Sequence, residues 1–358
     1  AGYDKKAAVT NSGTMTIQDT AGGGRITADA IAKTSGIANY SAVVLNNAGA
    51  NLTVNGVTLQ NKPASVNNYS TVLANFGTAS ITNSTLTTNR GIALVNGATG
   101  NIAQLADSTV SVTLAGGSYA IYNTSGGTIT QIDNCQLSTL NTNVLYNTDG
   151  AKVTTMRDTS LTITTPTSKN VYAVFNYGGT ITTIDGCTIS ANSGINNRNK
   201  RGSNTIAQGY NIAYYGTIGT INDTTVTVGQ YAIYNGGKIN TISGSSTFIA
   251  QPASAQVPWP SGTAALNGNS VHAYTIVNSN TWWYDSAVWK RTDTTVDNNG
   301  TSMLQRRISE YKTTDDFMPT IGTITDDVEI IAYNTSTSNS YGYYALQNLG
   351  VINEISGN

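Results

Sequence analysis

Short aliphatic runs recur along the chain, and a residue with special turn properties follows each of them. In the most complete unit, Ile129 and Ile132 are separated by two polar residues, and Asn134 follows two positions later. The second aliphatic residue of each unit serves as an anchor, and the anchors are Ile17, Val54, Ile81, Leu105, Ile132, Met156, Ile184, Ile221, Ile242, Ile324 and Ile355. The residues two positions after them are Asp19, Gly56, Asn83, Asp107, Asn134, Asp158, Gly186, Asp223, Gly244, Asp326 and Gly357. Asp, Asn and Gly tolerate a left-handed backbone or bond their own main chain, so this position predicts a recurring corner.

The spacing of the anchors predicts the fold class. Most anchors lie 21 to 31 residues apart, and turn residues divide the segments between them into short β-branched runs. A repeat of this length without helical periodicity predicts a solenoid whose parallel strands stack about 4.8 Å apart. We therefore predict an all-β fold, a parallel β-helix (β-solenoid) of about 11–13 coils. It forms a single domain over residues 1–358, with regular coils at 11–250 and 321–358 and an insertion at 251–320.

Stacking at a fixed register aligns equivalent side chains into columns. One column contains asparagines, whose amides can hydrogen-bond from coil to coil: Asn46, Asn75, Asn96, Asn123, Asn147, Asn176, Asn235 and Asn348. A column of small residues follows the corner: Ser84, Ser108, Cys135, Thr159, Cys187, Thr224 and Ser245. The two cysteines are therefore two coils apart, about 9.6 Å at the spacing of parallel strands. Because a disulfide needs Cα atoms within about 7 Å, we predict two free, buried thiols.

In its asparagine column and its repeated units, the chain resembles the right-handed parallel β-helix proteins, a pectate-lyase-like superfamily that also includes many bacterial surface adhesins. Asparagine ladders at a turn are a feature of that superfamily. The Gly-Thr-Ile-x-x-Ile units, as at Gly127–Ile132, are similar to those of repetitive surface proteins of gut bacteria. The resemblance implies the right-handed fold and an extracellular location, either secreted or at the cell surface.

Composition narrows the choice of partner. Charged residues make up 10% of the chain, against roughly 25% in an average globular protein, so hydroxyls and amides must solvate its surface. The net charge is −1 and no basic stripe is present, which argues against nucleic acid as a partner. No apolar run reaches about 18 residues, so no membrane span is predicted. The last coil stops at Gly357-Asn358 without a cap, and we expect a piece of a longer protein.

Two interruptions and one aromatic strip are the candidates for binding. The basic segment 196–201 (Asn-Asn-Arg-Asn-Lys-Arg) is expected to protrude as a solvated loop. The 251–320 insertion contains all four tryptophans, and the alternation of the regular strands directs Tyr122, Tyr146, Phe175 and Tyr234 outward. Aromatic rings suit stacking on sugars, so the proposed ligand-binding residues are Trp259, Trp282, Trp283, Tyr284, Trp289, Tyr122, Tyr146 and Phe175. The alternative is that the insertion folds back and covers the strip.

No motif identifies a catalytic site. The only histidine, His272, lies in Val-His-Ala and not in the Gly-His-Gly segment of some β-helix enzymes. An acidic cluster near Glu310 and Glu329 provides the catalytic candidates Asp315, Asp316, Asp326 and Asp327, and such carboxylates could bind calcium. Asp107 and Asp158 also share a column, but a turn role explains them. A charged loop paired with Arg306 and Arg307 explains the same residues. We therefore expect an adhesin or stalk that binds a glycan or a host or other cell surface. The alternative is a polysaccharide lyase or glycoside hydrolase with its site at 250–330.

Overall fold

The computed structural model describes residues 7–29, 41–63, 70–116, 118–124, 126–165, 171–201, 212–251, 274–279, 319–325, 327–332, 344–348 and 350–356. All regular elements in these ranges are β-strands, and nearly all of them pair in parallel. The chain winds through three faces, which we name A, B and C in the order in which each coil visits them. Face B has 11 strands, one for each coil, which agrees with the predicted number of coils.

Face A begins each coil and ends at the asparagine column. Its strands are β1 (Ala7–Asn11), β4 (Ser41–Asn46), β7 (Ser70–Asn75), β10 (Ile92–Asn96), β13 (Tyr119–Asn123), β16 (Leu145–Thr148), β19 (Tyr172–Tyr177), the second halves of β21 (Thr188–Arg198) and β25 (Thr225–Gly236), β28 (Tyr274–Asn278) and β31 (Tyr344–Asn348).

Face B contains the anchors. Its strands are β2 (Thr14–Gln18), β5 (Asn51–Asn55), β8 (Thr78–Thr82), β11 (Asn101–Ala106), β14 (Thr128–Asp133), β17 (Lys152–Arg157), β20 (Thr180–Asp185), β24 (Thr217–Asn222), β26 (Lys238–Ser243), β29 (Thr320–Ile324) and β32 (Val351–Ile355).

Face C closes each coil. Its strands are β3 (Arg25–Ala28), β6 (Thr58–Asn61), β9 (Thr85–Thr88), β12 (Thr109–Val112), β15 (Gln136–Thr139), β18 (Ser160–Ile163), the first halves of β21 and β25, β27 (Thr247–Ala250) and β30 (Glu329–Ala332). Faces C and A form one 19-stranded sheet, because β21 and β25 each run from one face into the other. A short antiparallel pair, β22 (Lys200–Arg201) and β23 (Ile212–Tyr214), lies outside the coils.

The register confirms the predicted anchors. Every anchor pairs with the next, from Ile17 with Val54 through to Ile324 with Ile355. In the coils between the ends these aliphatic side chains are fully buried and belong to one continuous core. Burial of this core, at about 25 cal/mol per Å² of apolar surface, is the main force that stacks the coils.

The corner between faces B and C is a left-handed residue. Positive φ angles of 46° to 70° occur at Gly56, Asn83, Asp107, Asn134, Asp158, Gly186, Asp223 and Gly244. Asp19, in the first coil, instead accepts hydrogen bonds from the backbone N–H groups of Ala21 and Gly24, which hold the pKa of its carboxyl below the usual value. Both behaviours are the ones that make Asp, Asn and Gly favourable at corners.

The corner between faces A and B is held by a ladder of asparagine side chains. Each Nδ2 donates to the Oδ1 of the next coil over 2.7 to 2.9 Å. The rungs are Asn11, Asn46, Asn75, Asn96, Asn123, Asn147, Asn176, Asn197, Asn235, Asn278 and Asn348. The ladder confirms the predicted column and adds two rungs to it, Asn11 and Asn197. Asn278 is also a rung, as the strand-like sequence that leads up to it predicts.

Two details of the prediction are wrong. Residues 196–198 do not begin a protruding loop, because they complete strand β21, and Asn196 and Asn197 are buried. In the small column, Ser246 takes the place assigned to Ser245, since this corner has one extra residue; the Ser246 hydroxyl accepts from the Thr224 N–H over 3.1 Å. Ser245 is exposed.

The cysteine prediction is confirmed. Cys135 and Cys187 are free and buried, with Thr159 between them in the column. Each thiol donates to the carbonyl two residues before it. Burial raises the pKa of each thiol to about 11.

Several predictions fall outside the described residues. These are the four tryptophans and Tyr284, His272, the arginines at 306 and 307, and Asp315, Asp316 and Asp326. The described part of the chain contains no helix long and apolar enough to cross a membrane.

Candidate functional site

The connections between strands differ in length around the coil. Two residues join face B to face C in every coil from the second to the eighth. The three longest connections, residues 199–216, 251–273 and 279–319, all join a strand of face A to a neighbouring face. Long connections on a rigid scaffold are where binding residues tend to lie. The architecture therefore directs attention to face A.

The outer side of face A is apolar in the first coils. Each strand places two consecutive residues in the core, so the outward positions lie three residues apart. In the second to fourth coils these positions form a separate buried cluster of Ala42, Leu45, Ala74, Ile92 and Val95, and Tyr119 and Tyr122 of the fifth coil pack against it. This part of face A is therefore buried on both sides.

Aromatic residues occupy the same positions in the fifth to seventh coils. We call Tyr119, Tyr122, Tyr146, Tyr172, Phe175 and Tyr177 the aromatic strip. Stacked pairs run along the helix axis, with ring centroids 5.5 Å apart for Tyr122 and Tyr146 and 5.0 Å apart for Tyr146 and Phe175. Tyr119 leans against both tyrosines. Burial raises the pKa of Tyr119 to about 12 and also raises the pKa of Tyr146 and Tyr172.

The strip confirms that Tyr122, Tyr146 and Phe175 lie on the outer side of consecutive coils. Their ring faces, however, are turned toward one another along the axis, so mainly ring edges are left for a ligand. Tyr234 lies in the same column but is only 5% exposed, so its ring is covered, as in the alternative in which the outer aromatic residues are buried. Tyr119 and Tyr172 were not predicted as members of the strip, although each lies three residues before a predicted member.

The eighth coil interrupts the aromatic column with polar residues. Asn196 lies between Phe175 of the seventh coil and Tyr234 of the ninth, and Ser193 lies between Tyr172 and Tyr231. We call Ser193 and Asn196 the polar gap. Their exposures are 0% and 1%, yet neither the Ser193 Oγ nor either amide atom of Asn196 has a hydrogen-bond partner in the described structure. Asn196 is near enough to the Tyr172 hydroxyl to offset part of the rise in the tyrosine pKa, but it does not reach hydrogen-bond geometry.

Two cations lie beside the aromatic strip, and Arg198 is two residues after Asn196 in the same strand. The Arg198 guanidinium carbon lies 5.0 Å from the Phe175 ring centroid and 5.5 Å from that of Tyr177. Lys200 contacts the Tyr177 ring and forms an ion pair with Asp149, and desolvation lowers the pKa of its amine. We call Arg198 and Lys200 the cationic rim.

Two tyrosines extend this surface toward solvent. Tyr214 is 42% exposed and Tyr215 is 52% exposed. A Cβ atom at Gly150 would lie 3.1 Å from the Tyr214 ring, so the glycine lets that ring rest against the corner of the sixth coil. Unlike the rings of the strip, these two keep a large share of their surface open.

The carboxylates of the described coils serve the scaffold. Asp107 accepts from the Asn134 amide of the next corner over 2.7 Å, and Asp133 forms an ion pair with Arg157. Asp327, the only catalytic candidate within the described residues, is exposed in a turn. No group of three metal-ligating side chains occurs within the ranges given above.

No family model, no curated protein and no solved structure matches this chain.

Proposed function

We propose that this chain is an extracellular, non-enzymatic β-helical segment of a bacterial surface protein, a stalk that binds a glycan on face A. The observation that carries the proposal is the asymmetry of the coil. The three longest connections border face A, and among the described residues it is face A that combines stacked aromatic rings, buried polar groups and cations on its outer side.

The remaining faces suit a stalk. The outward positions of face C are mostly small polar residues, such as Thr85 beside Thr109 and Thr87 beside Ser111, and the Ser111 hydroxyl donates to that of Thr87 over 2.9 Å. The asparagine ladder continues through all the coils, so the coils are tied together along the whole described length. Because each coil contacts its neighbours, a solenoid held in this way fixes the position of one end relative to the other.

A glycan is the ligand class that this chemistry favours. Tyrosines with open surface, such as Tyr214 and Tyr215, can stack on sugar rings, while buried amides and hydroxyls select among sugar hydroxyls.

The test is a screen of immobilised plant and host glycans that measures both retention of the protein and release of products. Retention without new reducing or unsaturated ends supports a binding stalk. The double substitution Tyr214→Ala/Tyr215→Ala is expected to weaken retention about tenfold, as expected for loss of stacking by two rings. Its control, Lys238→Ala on face B, should have no effect.

Two outcomes would contradict the proposal. Absence of retention on every glycan would remove the binding function. Product release would favour the lyase or hydrolase alternative, whose expected site at 250–330 lies largely outside the described residues.

A further inference from the structure

We infer that the polar gap and the cationic rim form one subsite for an acidic, N-acylated sugar, the chemistry of the sialic acids. This inference rests on the proposed function and specifies its ligand. In it, Ser193 and Asn196 bind the acylamino group and a neighbouring hydroxyl, and Arg198 and Lys200 bind the carboxylate.

The first argument is the unused hydrogen-bonding capacity of the polar gap. A buried amide or hydroxyl is normally paired, and an unpaired one deserves an explanation. Asn196 offers two donors and an acceptor, and Ser193 offers one hydroxyl, with none of them paired in the described structure. An acylamino group has one N–H and one carbonyl, which are the complements of an amide and a hydroxyl.

The aromatic column is interrupted at the eighth coil by a shorter side chain. Phe175 and Tyr234 belong to coils two strand spacings apart, about 9.6 Å, and the shorter Asn196 lies between them. That distance admits a single ring or flat group between two aromatic rings at van der Waals contact of about 3.5–4 Å on each side. Continuing the aromatic column through the eighth coil would have filled this space. The aromatic walls also suit the methyl of an acetyl group, which a plain hydroxylated sugar lacks.

The positive charge of the cationic rim favours an acidic ligand. The cationic rim lies at the edge of the gap, and its Lys200 is paired with Asp149. A bidentate carboxylate is the preferred partner of a guanidinium, and a cation held against aromatic rings is already partly desolvated. A negatively charged sugar residue is therefore favoured over a neutral one.

Ser193 and Asn196 are closed to solvent, so the inferred subsite requires this part of face A to open when a ligand binds. The Arg198 guanidinium lies over Phe175, which neighbours Asn196 in the same column. In the inferred complex this side chain leaves the ring and binds the ligand carboxylate.

The decisive experiment is titration calorimetry of the full chain with 3′-sialyllactose, lactose and an oligogalacturonate. We expect binding of 3′-sialyllactose at least tenfold tighter than that of lactose, since the loss of one good charged contact costs about that factor. Arg198→Gln should remove most of this preference. Asn196→Leu should lower the affinity for 3′-sialyllactose about tenfold or more and yet raise the urea midpoint, because an unpaired buried amide is replaced by an apolar side chain of similar size.

A matched control is Asn101→Leu on the outer side of face B, which should leave both sugar binding and urea midpoint unchanged. Equal binding of lactose, or a preference for the oligogalacturonate, would overturn the inference and leave glycan binding itself in place. Destabilisation by Asn196→Leu would also overturn it, because the amide would then serve the fold. Failure to bind any of the three sugars, together with failure in the wider glycan screen, would remove the proposed function as well.

Discussion

The chain turns by different means at the two corners that border face B. At the corner between faces B and C, one left-handed residue reverses the chain, and the connection stays at two residues from the second to the eighth coil. At the corner between faces A and B, an asparagine amide reaches the carbonyl just before the next strand. That carbonyl belongs to Gly100 in the fourth coil, 4 residues from Asn96, and to Pro319 in the tenth, 41 residues from Asn278.

The difference shows why the corner between faces A and B accommodates long insertions, as at 199–216 and 279–319. A side-chain hydrogen bond specifies two positions in space and is indifferent to the length of chain between them. A left-handed residue closes a corner only where the chain turns at that residue, so the corner between faces B and C stays short, and in the first coil, where it is longer, Asp19 accepts backbone hydrogen bonds instead. The longest connections therefore lie at the borders of face A, where the candidate subsite also lies.

The largest expected effect comes from breaking the ladder at a corner with an insertion. Asn197 accepts from Asn176 and donates to Asn235, Gly216 and Lys238, all within a buried environment. Asn197→Leu would leave several of these groups unpaired and should lower the free energy of unfolding by about 4 kcal/mol. Urea denaturation measures it, with Asn101→Leu as a control that should change stability by less than about 0.5 kcal/mol. A loss as small as that of the control would show that the ladder does not hold this corner.

A direct comparison of the two corners uses one insertion at two places in the fourth coil. Five Gly/Ser residues between Ala98 and Thr99 should cost about 1 kcal/mol, since lengthening a flexible loop is a small entropic cost. The same insertion between Asp107 and Ser108 should cost about 3 kcal/mol, because the buried Ser108 hydroxyl would lose its bonds to Ser84 and Ala106. Equal costs in urea denaturation would contradict the proposed difference between the corners.

Cys135 and Cys187 directly follow the corner between faces B and C, and their thiols titrate at alkaline pH. The pKa of Cys135 and of Cys187 rises from 9.0 to about 11 on folding, so the folded state retains these protons more strongly. Their stabilising contribution is complete below pH 9.0 and declines as the pH rises toward 11, by about 1 kcal/mol for each thiol near pH 10. The double variant Cys135→Ser/Cys187→Ser places hydroxyls at both positions of the small column. Its thermal stability should decline less than that of the parent protein between pH 8 and pH 10. An equal decline in both proteins would mean that ionisation of the tyrosines, and not of the thiols, causes the loss of stability.

The smallest expected effect concerns the corner residue itself. Asp158 has a φ of 49°, and a β-branched side chain is strained there. Asp158→Val should cost about 1–2 kcal/mol, whereas Asp158→Gly should be within about 0.5 kcal/mol of the parent protein. Chemical denaturation of the two variants side by side provides the measurement. A similar loss in both would mean that the Asp158 side chain, and not its backbone angle, stabilises the corner.

Sequence reasoning was most successful where one residue type repeats at a fixed place in every unit. All eleven anchors pair as predicted, and the eight corners from Gly56 to Gly244 are left-handed, since both features depend on short-range periodicity and local backbone preference. It failed at Asn196 and Asn197, which stand in a segment that is polar, basic and easily interpreted as a loop. Nothing local distinguishes a ladder asparagine from a solvated one.

The sequence by itself therefore determined the coil: its strands, its left-handed corner, its core columns and the separation of its two cysteines. These follow from alternation and from the few residues that can turn a chain. Only the tertiary structure decided which asparagines join the ladder, that the aromatic rings stack on one another, and that coil eight holds a buried, unpaired amide between two rings. Those properties depend on neighbours one and two coils away, across connections of any length, so only stacking of the coils can fix them.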